Sequence, residues 1–319
     1  MSLPRDARIF VAGHRGLVGS ALVRALRARP HADVVTRART ELELADSAAV
    51  DGFFDRERPQ YVLLAAGRVG GIVVNRDYPA DFLAENLAIQ LNVIRAARRT
   101  GVQRVIFFAS SCMYPREAPQ PMSESLLLSG RPEDTSMAYA VAKLAGTHLC
   151  LAYNRQYGGE RFVPVIPNSV YGPNDNFDPA SGHVLSALIR RFHDAKAQGD
   201  RKVTLWGSGL PRREFLYVDD LAEAVLMLLA ADLASVELPL NIGPGEDVSI
   251  RDLARIVESV VGFAGEIEWD KTQPDGAPRK LLDSARIRSL GWSPATDLET
   301  GIRRTYEWYL SQQQEKIAS

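Results

Sequence analysis

The chain has 319 residues, 46% hydrophobic and 24% charged, enough to bury a core in two lobes. A net charge of -1 argues against a nucleic-acid footprint and a polybasic membrane patch, and two cysteines, Cys112 and Cys150, argue against a disulfide framework or a metal cluster. The opening Met1-Ser2-Leu3-Pro4-Arg5-Asp6 carries no leader and the apolar run over 224–231 is too short to span a membrane, so the expectation is a soluble cytoplasmic protein.

In chain order, Arg8-Ile9-Phe10-Val11-Ala12 is a β-rich run, followed by a glycine turn and a helical pattern over 18–26. Val34-Val35 predicts a second strand, and Tyr61-Val62-Leu63-Leu64-Ala65-Ala66 a third, continuously apolar as in a strand covered on both faces. A helix is expected over 84–99, a strand at Val105-Ile106-Phe107-Phe108, a long helix over 139–157 and a strand at Phe162-Val163-Pro164-Val165-Ile166. This alternation predicts an α/β fold with a parallel, doubly wound sheet. After Pro167 the pattern changes: Tyr171-Gly172-Pro173-Asn174-Asp175-Asn176 is loop chemistry, with helices expected over 183–192, 250–261 and 298–310 around a Pro/Gly-rich stretch at 273–278. The expected division is a nucleotide-binding domain over 1–167, with 214–243 returning to it, and a smaller substrate lobe built from 168–213 and 244–319.

Gly13-His14-Arg15-Gly16-Leu17-Val18-Gly19 lies between the first strand and the first helix. Glycines there allow a tight turn, admit a pyrophosphate to the backbone and let helix pack on strand, while the helix N-terminus attracts the anion. An NAD site would place an acid at the end of the second strand, which here reads Val35-Thr36-Arg37-Ala38-Arg39. Arg15 and Arg37 suit a 2′-phosphate through charge-assisted hydrogen bonds, so the expected cofactor is NADP(H).

Ser110 precedes Tyr139-Ala140-Val141-Ala142-Lys143, a Tyr-x-x-x-Lys pair. Residues four apart share a helix face, so Lys143 can sit beside the Tyr139 ring, where an ammonium would lower the phenol from its usual range near 10. Such a pair handles the proton in carbonyl reduction, with the serine hydroxyl holding the carbonyl. Cys112 adds a soft, ionisable base two residues beyond that serine, unless it is a small buried hydrophobe, the commoner fate of a free cysteine. Cys150, inside the long helix, reads as core.

Several narrower motifs run almost from end to end: Ala12-Gly13-His14-Arg15-Gly16, Val69-Gly70-Gly71-Ile72, Tyr78-Pro79-Ala80-Asp81-Phe82, Ser110-Ser111-Cys112-Met113-Tyr114-Pro115, Tyr153-Asn154-Arg155-Gln156-Tyr157-Gly158, Tyr171-Gly172-Pro173, Arg213-Glu214-Phe215 and Pro274-Asp275-Gly276. On these the chain resembles the extended short-chain dehydrogenases/reductases and, within them, the GDP-L-fucose synthase family. The resemblance implies a Rossmann-type fold and the NADPH-dependent 3,5-epimerisation and 4-keto reduction of GDP-4-keto-6-deoxy-D-mannose. It implies that Tyr139 donates the proton to the developing alkoxide, Lys143 tunes Tyr139 and holds the nicotinamide ribose, Ser110 orients the carbonyl, Cys112 is the base and His183 the acid of epimerisation. The cofactor contacts it implies are Gly13, Arg15, Gly16, Leu17, Val18, Gly19, Arg37, Ala65, Ala66, Lys143, Pro167, Asn168, Val170 and His183.

For the nucleotide diphosphate and sugar the resemblance points to Arg191, Trp206, Arg213 and Asp275, with Arg190 and Arg212 as alternatives adjacent to the two arginines. It also implies a homodimer through the helices over 84–99 and 139–157. Nucleotide-sugar 4,6-dehydratases resemble the same scaffold but carry Thr-Asp-Glu where this chain has Ser110-Ser111-Cys112, so dehydration is disfavoured. Pro167-Asn168-Ser169-Val170 departs from the family's more usual Pro-Thr-Asn before the Tyr-Gly-Pro turn. A C4 reductase of a related sugar such as the GDP-4-keto-6-deoxyheptose, with or without epimerisation, remains an alternative, and a silent NADP-binding module a distant one.

Overall fold

Short apolar runs alternating with amphipathic helices leave a parallel sheet with two covered faces as the stable solution, and the computed structural model of the chain has that architecture. It describes residues 6–29, 33–178, 181–273 and 275–318. The order is β1 (Arg8–Ala12), α1 (Leu17–Arg27), β2 (Asp33–Val35), α2 (Ser47–Glu57), β3 (Tyr61–Leu64), α3 (Ile72–Asp77), α4 (Pro79–Thr100), β4 (Arg104–Phe108), α5 (Met137–Tyr157) and β5 (Phe162–Pro167). Then come β6 (Val170–Tyr171), α6 (Val184–Gln198), β7 (Lys202–Trp206), β8 (Arg212–Arg213), β9 (Leu216–Tyr217), α7 (Val218–Ala230) and β10 (Leu240–Ile242). The chain ends with β11 (Val248–Ser249), α8 (Ile250–Val261), β12 (Glu266–Asp270), β13 (Arg279–Lys280), α9 (Ala285–Ser289) and α10 (Leu298–Ala318). The expected Met1–Arg5 entry and Pro274 lie outside the described residues.

Six strands form one sheet in the order β10-β5-β4-β3-β1-β2, all pairs parallel. Chain order reverses between β1 and β3, so the carboxyl ends of these two strands form the crevice where such sheets bind ligands. One face is covered by α2, α4 and α5, with Phe53, Phe54, Val93 and Leu144 packed on Phe10 and Phe107. The Phe10 and Phe53 ring centroids lie 4.5 Å apart, and each fully buried ring contributes about 1.5–3 kcal/mol. The other face is covered by α1 and α7 through Leu22, Leu26, Leu221 and Val225. Helix α4 starts five residues earlier than the periodicity suggests, because Pro79 supplies a first-turn φ without losing a needed N–H.

A third cluster holds the smaller lobe together: Leu188 and Phe192 of α6, Leu253 and Val257 of α8, and Ile302 and Tyr306 of α10. Strands β12 and β7 pair in parallel at its edge, and β11, β8 and β13 form a short sheet. The segment from Leu282 to Trp292 runs back to the large sheet, since Leu282 joins one of its faces and Ile287 and Trp292 the other. A lobe drawn as one block over 244–319 does not anticipate this return.

Candidate active site

The glycine loop has a geometry that requires glycine at positions 13 and 19. Gly13 has φ +83°, and a methyl group there would lie 2.7 Å from the Ala66 nitrogen, so loop and β3 end touch backbone to backbone. A methyl at Gly19 would collide with the Gly13 carbonyl, whereas one at Gly16 would meet only the Gly13 oxygen at 3.6 Å. Gly16, with Leu17 and Val18 behind it, opens α1 with no side-chain cap and no acid in the first turn. The first-turn N–H groups are therefore not taken by a side-chain cap, which fits a dinucleotide pyrophosphate. Ala65 extends β3, its N–H donating to the Ala12 carbonyl at 3.1 Å, and both Ala65 and Ala66 are half-buried beside the loop.

The two arginines expected near a 2′-phosphate are placed differently. Arg15 is exposed at the loop. Arg37 donates from Nη2 to Glu57 at 2.5 Å and from Nη1 to the Thr36 carbonyl at 2.8 Å, over the Phe53 ring at 5.7 Å. A phosphate at Arg37 would have to share it with Glu57. His14, which sequence reasoning passed over as a loop residue, sits between them: its ring bonds to the Arg37 backbone, and burial together with Arg15 lowers its pKa.

The reducing group is assembled on β4 and α5. Tyr139 and Lys143, one turn apart, are both buried, and Lys143 Nζ donates to the Phe108 carbonyl at the end of β4 at 2.8 Å, 5.7 Å from the Tyr139 ring centroid. Close approach of α4 to α5 makes room for this: Gln90 donates to the Ala142 carbonyl at 2.6 Å, and a methyl at Gly146 would lie 2.6 Å from the Phe107 ring. Ser110 follows β4, and its hydrogen bond to Tyr139 favours the phenolate. The expected lowering of the Tyr139 phenol is nevertheless not what the folded chain produces. Burial pushes Tyr139 well above its ordinary range, the neighbouring Cys112 adds to that rise, and Ser110 offsets only part of it. Burial also drives Lys143 down to about 8, which weakens the charge that was to act on the phenol.

Cys112 lies in a 3₁₀ turn, Ser111–Met113, that Ser110 caps by accepting from the Cys112 N–H at 3.3 Å. It is half-buried, whereas Cys150 is fully buried in α5. His183 is exposed as the N-cap residue of α6. The loop before it folds against the Val69-Gly70-Gly71 turn, since a methyl at Gly71 would lie 3.2 Å from the Ser181 carbonyl. Asp175, from the Tyr171-Gly172-Pro173 loop, accepts from Ser186 one turn into α6, and burial raises its carboxyl while His183 works in the opposite direction. Asp175 thus sits within electrostatic range of His183, a neighbour that spacing alone did not single out. Pro167 ends β5 and Val170 lies in β6, both half-buried, but the Asn168 side chain is fully buried and turned to Ser111 and Glu214.

The residues expected for the diphosphate and sugar gather on the smaller lobe. Arg191 donates to the Thr204 carbonyl of β7 at 2.9 Å, and Trp206, at the end of that strand, is 69% exposed. The next turn is held by Asp275, which accepts from Ser208 N and Oγ at 2.8 and 2.6 Å. A methyl at Gly276 would come 3.1 Å from Arg213 Nη2, which closes the cluster. Arg190 is paired with Asp194 at 2.5 Å and Arg212 with Asp247 at 2.7 Å. Arg213 instead donates to the Arg212 carbonyl, and burial lowers its pKa. Among the described residues no group of His, Cys, Asp and Glu could hold a metal, and no helix is long and apolar enough to cross a membrane.

A parallel sheet with a glycine loop at its switch point and a buried Tyr-x-x-x-Lys pair defines a class, and residues 9–243 match the model of the NAD dependent epimerase/dehydratase family. The chain belongs to that family. It is 52% identical to GDP-L-fucose synthase 1 of Arabidopsis thaliana, over 96% of this chain and 94% of the relative. It is 49% identical to GDP-L-fucose synthase of Escherichia coli K12, over 96% and 97%. A GDP-mannoheptose C4 reductase from Campylobacter jejuni, solved with NADP bound, superposes with a TM-score of 0.87 at 36% identity, covering 97% of this chain and 100% of that one. Within its class, the chain is a member of the GDP-L-fucose synthase family, and it is an oxidoreductase.

Proposed function

We propose that the protein converts GDP-4-keto-6-deoxy-D-mannose to GDP-L-fucose by epimerising C3 and C5 and reducing the C4 ketone with NADPH. The observation that carries this reading is the half-buried Cys112 on the turn capped by Ser110, the serine that bonds Tyr139: a base stands beside a carbonyl-reducing group. C3 and C5 both flank the ketone, so their hydrogens are acidified by the same carbonyl that is later reduced. Ser110 and Tyr139 hold the sugar O4 and stabilise the charge that develops there. Cys112 takes the proton from carbon and His183 returns one on the opposite face. When bound, NADPH supplies the hydride to C4, and Tyr139 then gives its proton to O4. A phenol held high by burial is a reservoir for that proton, and Lys143 stands one turn away to hold the ribose.

Arg15, Gly13, Gly16, Gly19 and the first turn of α1 hold the cofactor phosphates, with Arg37 shared with Glu57. Arg191 and Arg213, which lack the carboxylate partners of Arg190 and Arg212, take the GDP diphosphate, and Trp206 and Asp275 border the nucleoside and sugar. The working division is a nucleotide domain over 1–167 with 214–243, and a substrate lobe from the remainder, apart from the return at 282–292. The protein works in the cytoplasm as a homodimer through α4 and α5, where Leu91, Val141 and Tyr157 leave 49%, 41% and 50% of their surface exposed. Light scattering checks the dimer.

NMR analysis of the product from GDP-4-keto-6-deoxymannose and from its heptose counterpart tests the function. GDP-L-fucose as the product of the hexose supports it. Turnover of the heptose alone, with C3 and C5 unexchanged, would replace it with a C4 reductase, a reading favoured by the likeness to the Campylobacter jejuni enzyme.

A further inference from the structure

The turn that carries Cys112 is tied to the smaller lobe by a buried polar chain. Ser111 Oγ donates to Asn168 Oδ1 at 2.8 Å, and Asn168 Nδ2 donates to Glu214 Oε2 at 3.1 Å and to the Lys280 carbonyl at 3.3 Å. Glu214 also accepts from Leu282 N at 3.0 Å and, through Oε1, from Gly245 N at 2.7 Å. Ser111, Asn168 and Glu214 are 7%, 1% and 0% exposed, so none of these bonds can be exchanged for one to solvent. Glu214 follows Arg213 of β8, and Lys280 is in β13 of the same short sheet. The chain therefore runs from the residue beside a diphosphate-binding arginine to the residue beside the base.

Tyr139 and Lys143 do not share this support, and Ser110 shares it only through its peptide bond to Ser111 and the cap it gives the turn. Lys143 is fixed to the end of β4, and Ser110 follows Ala109, whose N–H donates to the Val165 carbonyl of β5 at 2.8 Å. We propose that Asn168 is a positioning residue that sets Cys112 against the sugar by coupling the 3₁₀ turn, through Ser111, to Glu214 and the diphosphate-binding lobe. The amide does this by accepting from the serine through its oxygen while donating to the carboxylate through its nitrogen. The inference rests on the function proposed above and adds to it a division of labour: C3 and C5 proton exchange depends on the tether, and hydride transfer depends on it far less.

The test measures deuterium exchange at C3 and C5 and hydride transfer in D₂O, for wild type, Ser111→Ala, Asn168→Leu and the double variant. Leucine keeps a similar side-chain length without the amide, and Ser111→Ala removes a single donor. The ratio of exchange to hydride transfer should fall about tenfold in each single variant and no further in the double, since one interaction is lost. A ratio equal to wild type, or two rates that fall together in step with the melting temperature, would overturn the tether. If wild type neither exchanges nor reduces the hexose substrate, the functional reading falls and takes the tether with it.

Discussion

The reducing group and the proton-exchange pair stand on opposite kinds of support. Tyr139 and Lys143 rest on the buried face of α5, with Lys143 bonded to the sheet backbone, and Ser110 joins them to the turn of Cys112. Cys112 lies in a single 3₁₀ turn, and His183 stands exposed at the start of α6. Groups that share one fate in catalysis are thus held by the rigid sheet in one case and by turns facing the smaller lobe in the other. A carbonyl needs fixed donors, because charge always develops on the same oxygen. A base for proton removal from carbon must be held as firmly, and the bond of Ser111 to the buried Asn168 supplies that hold from another part of the fold.

The sharpest way to break that contrast is at Tyr139. Tyr139→Phe should lower hydride transfer about a thousandfold with little loss of NADPH affinity, measured by single-turnover absorbance and by titration; a normal rate would remove Tyr139 from its role. Cys112→Ala should lower deuterium entry at C3 and C5 by roughly 10²–10³-fold while some direct 4-keto reduction survives. Unchanged incorporation would mean the two regions are not separate devices.

Lys143 tests how dry the rigid region is. Burial brings its ammonium from 10.5 down to about 8, so between these values the unfolded chain holds a proton that the folded chain has released. Stability from this group rises with pH across that window and is lost as pH falls back through 8. Lys143→Met should remove roughly 3 kcal/mol of the rise, seen by urea unfolding at both ends of the window; parallel pH slopes in variant and wild type would refute a desolvated Lys143. The smallest effect concerns the paired arginines. Arg191→Ala should raise the KM for the GDP-sugar about tenfold, whereas Arg190→Ala costs only an exposed i,i+4 ion pair and should change it less than about twofold. Equal effects would mean that Asp194 does not decide which guanidinium is available.

The sequence alone determined the sheet, because continuous apolar runs such as Tyr61–Leu64 have no stable place except between two covered faces. It also determined the glycine loop, which its place between a strand and a helix makes readable, and the Tyr139–Lys143 pair, which needs only the helical repeat. That Arg212 is the member of its pair with a carboxylate partner was not legible, since Asp247 reaches it only through the pairing of β11 with β8. Nor was the direction of the Tyr139 shift, because spacing reports a neighbouring charge but not the water removed around it. Asn168 read as a departure in a loop, and only the folded chain joins it to Ser111, 57 positions away, and to Glu214, 46 away. Periodicity and short motifs are set by neighbours along the chain. Desolvation and long-range polar partners exist only once the lobes have closed on one another, and the tertiary structure alone decided them.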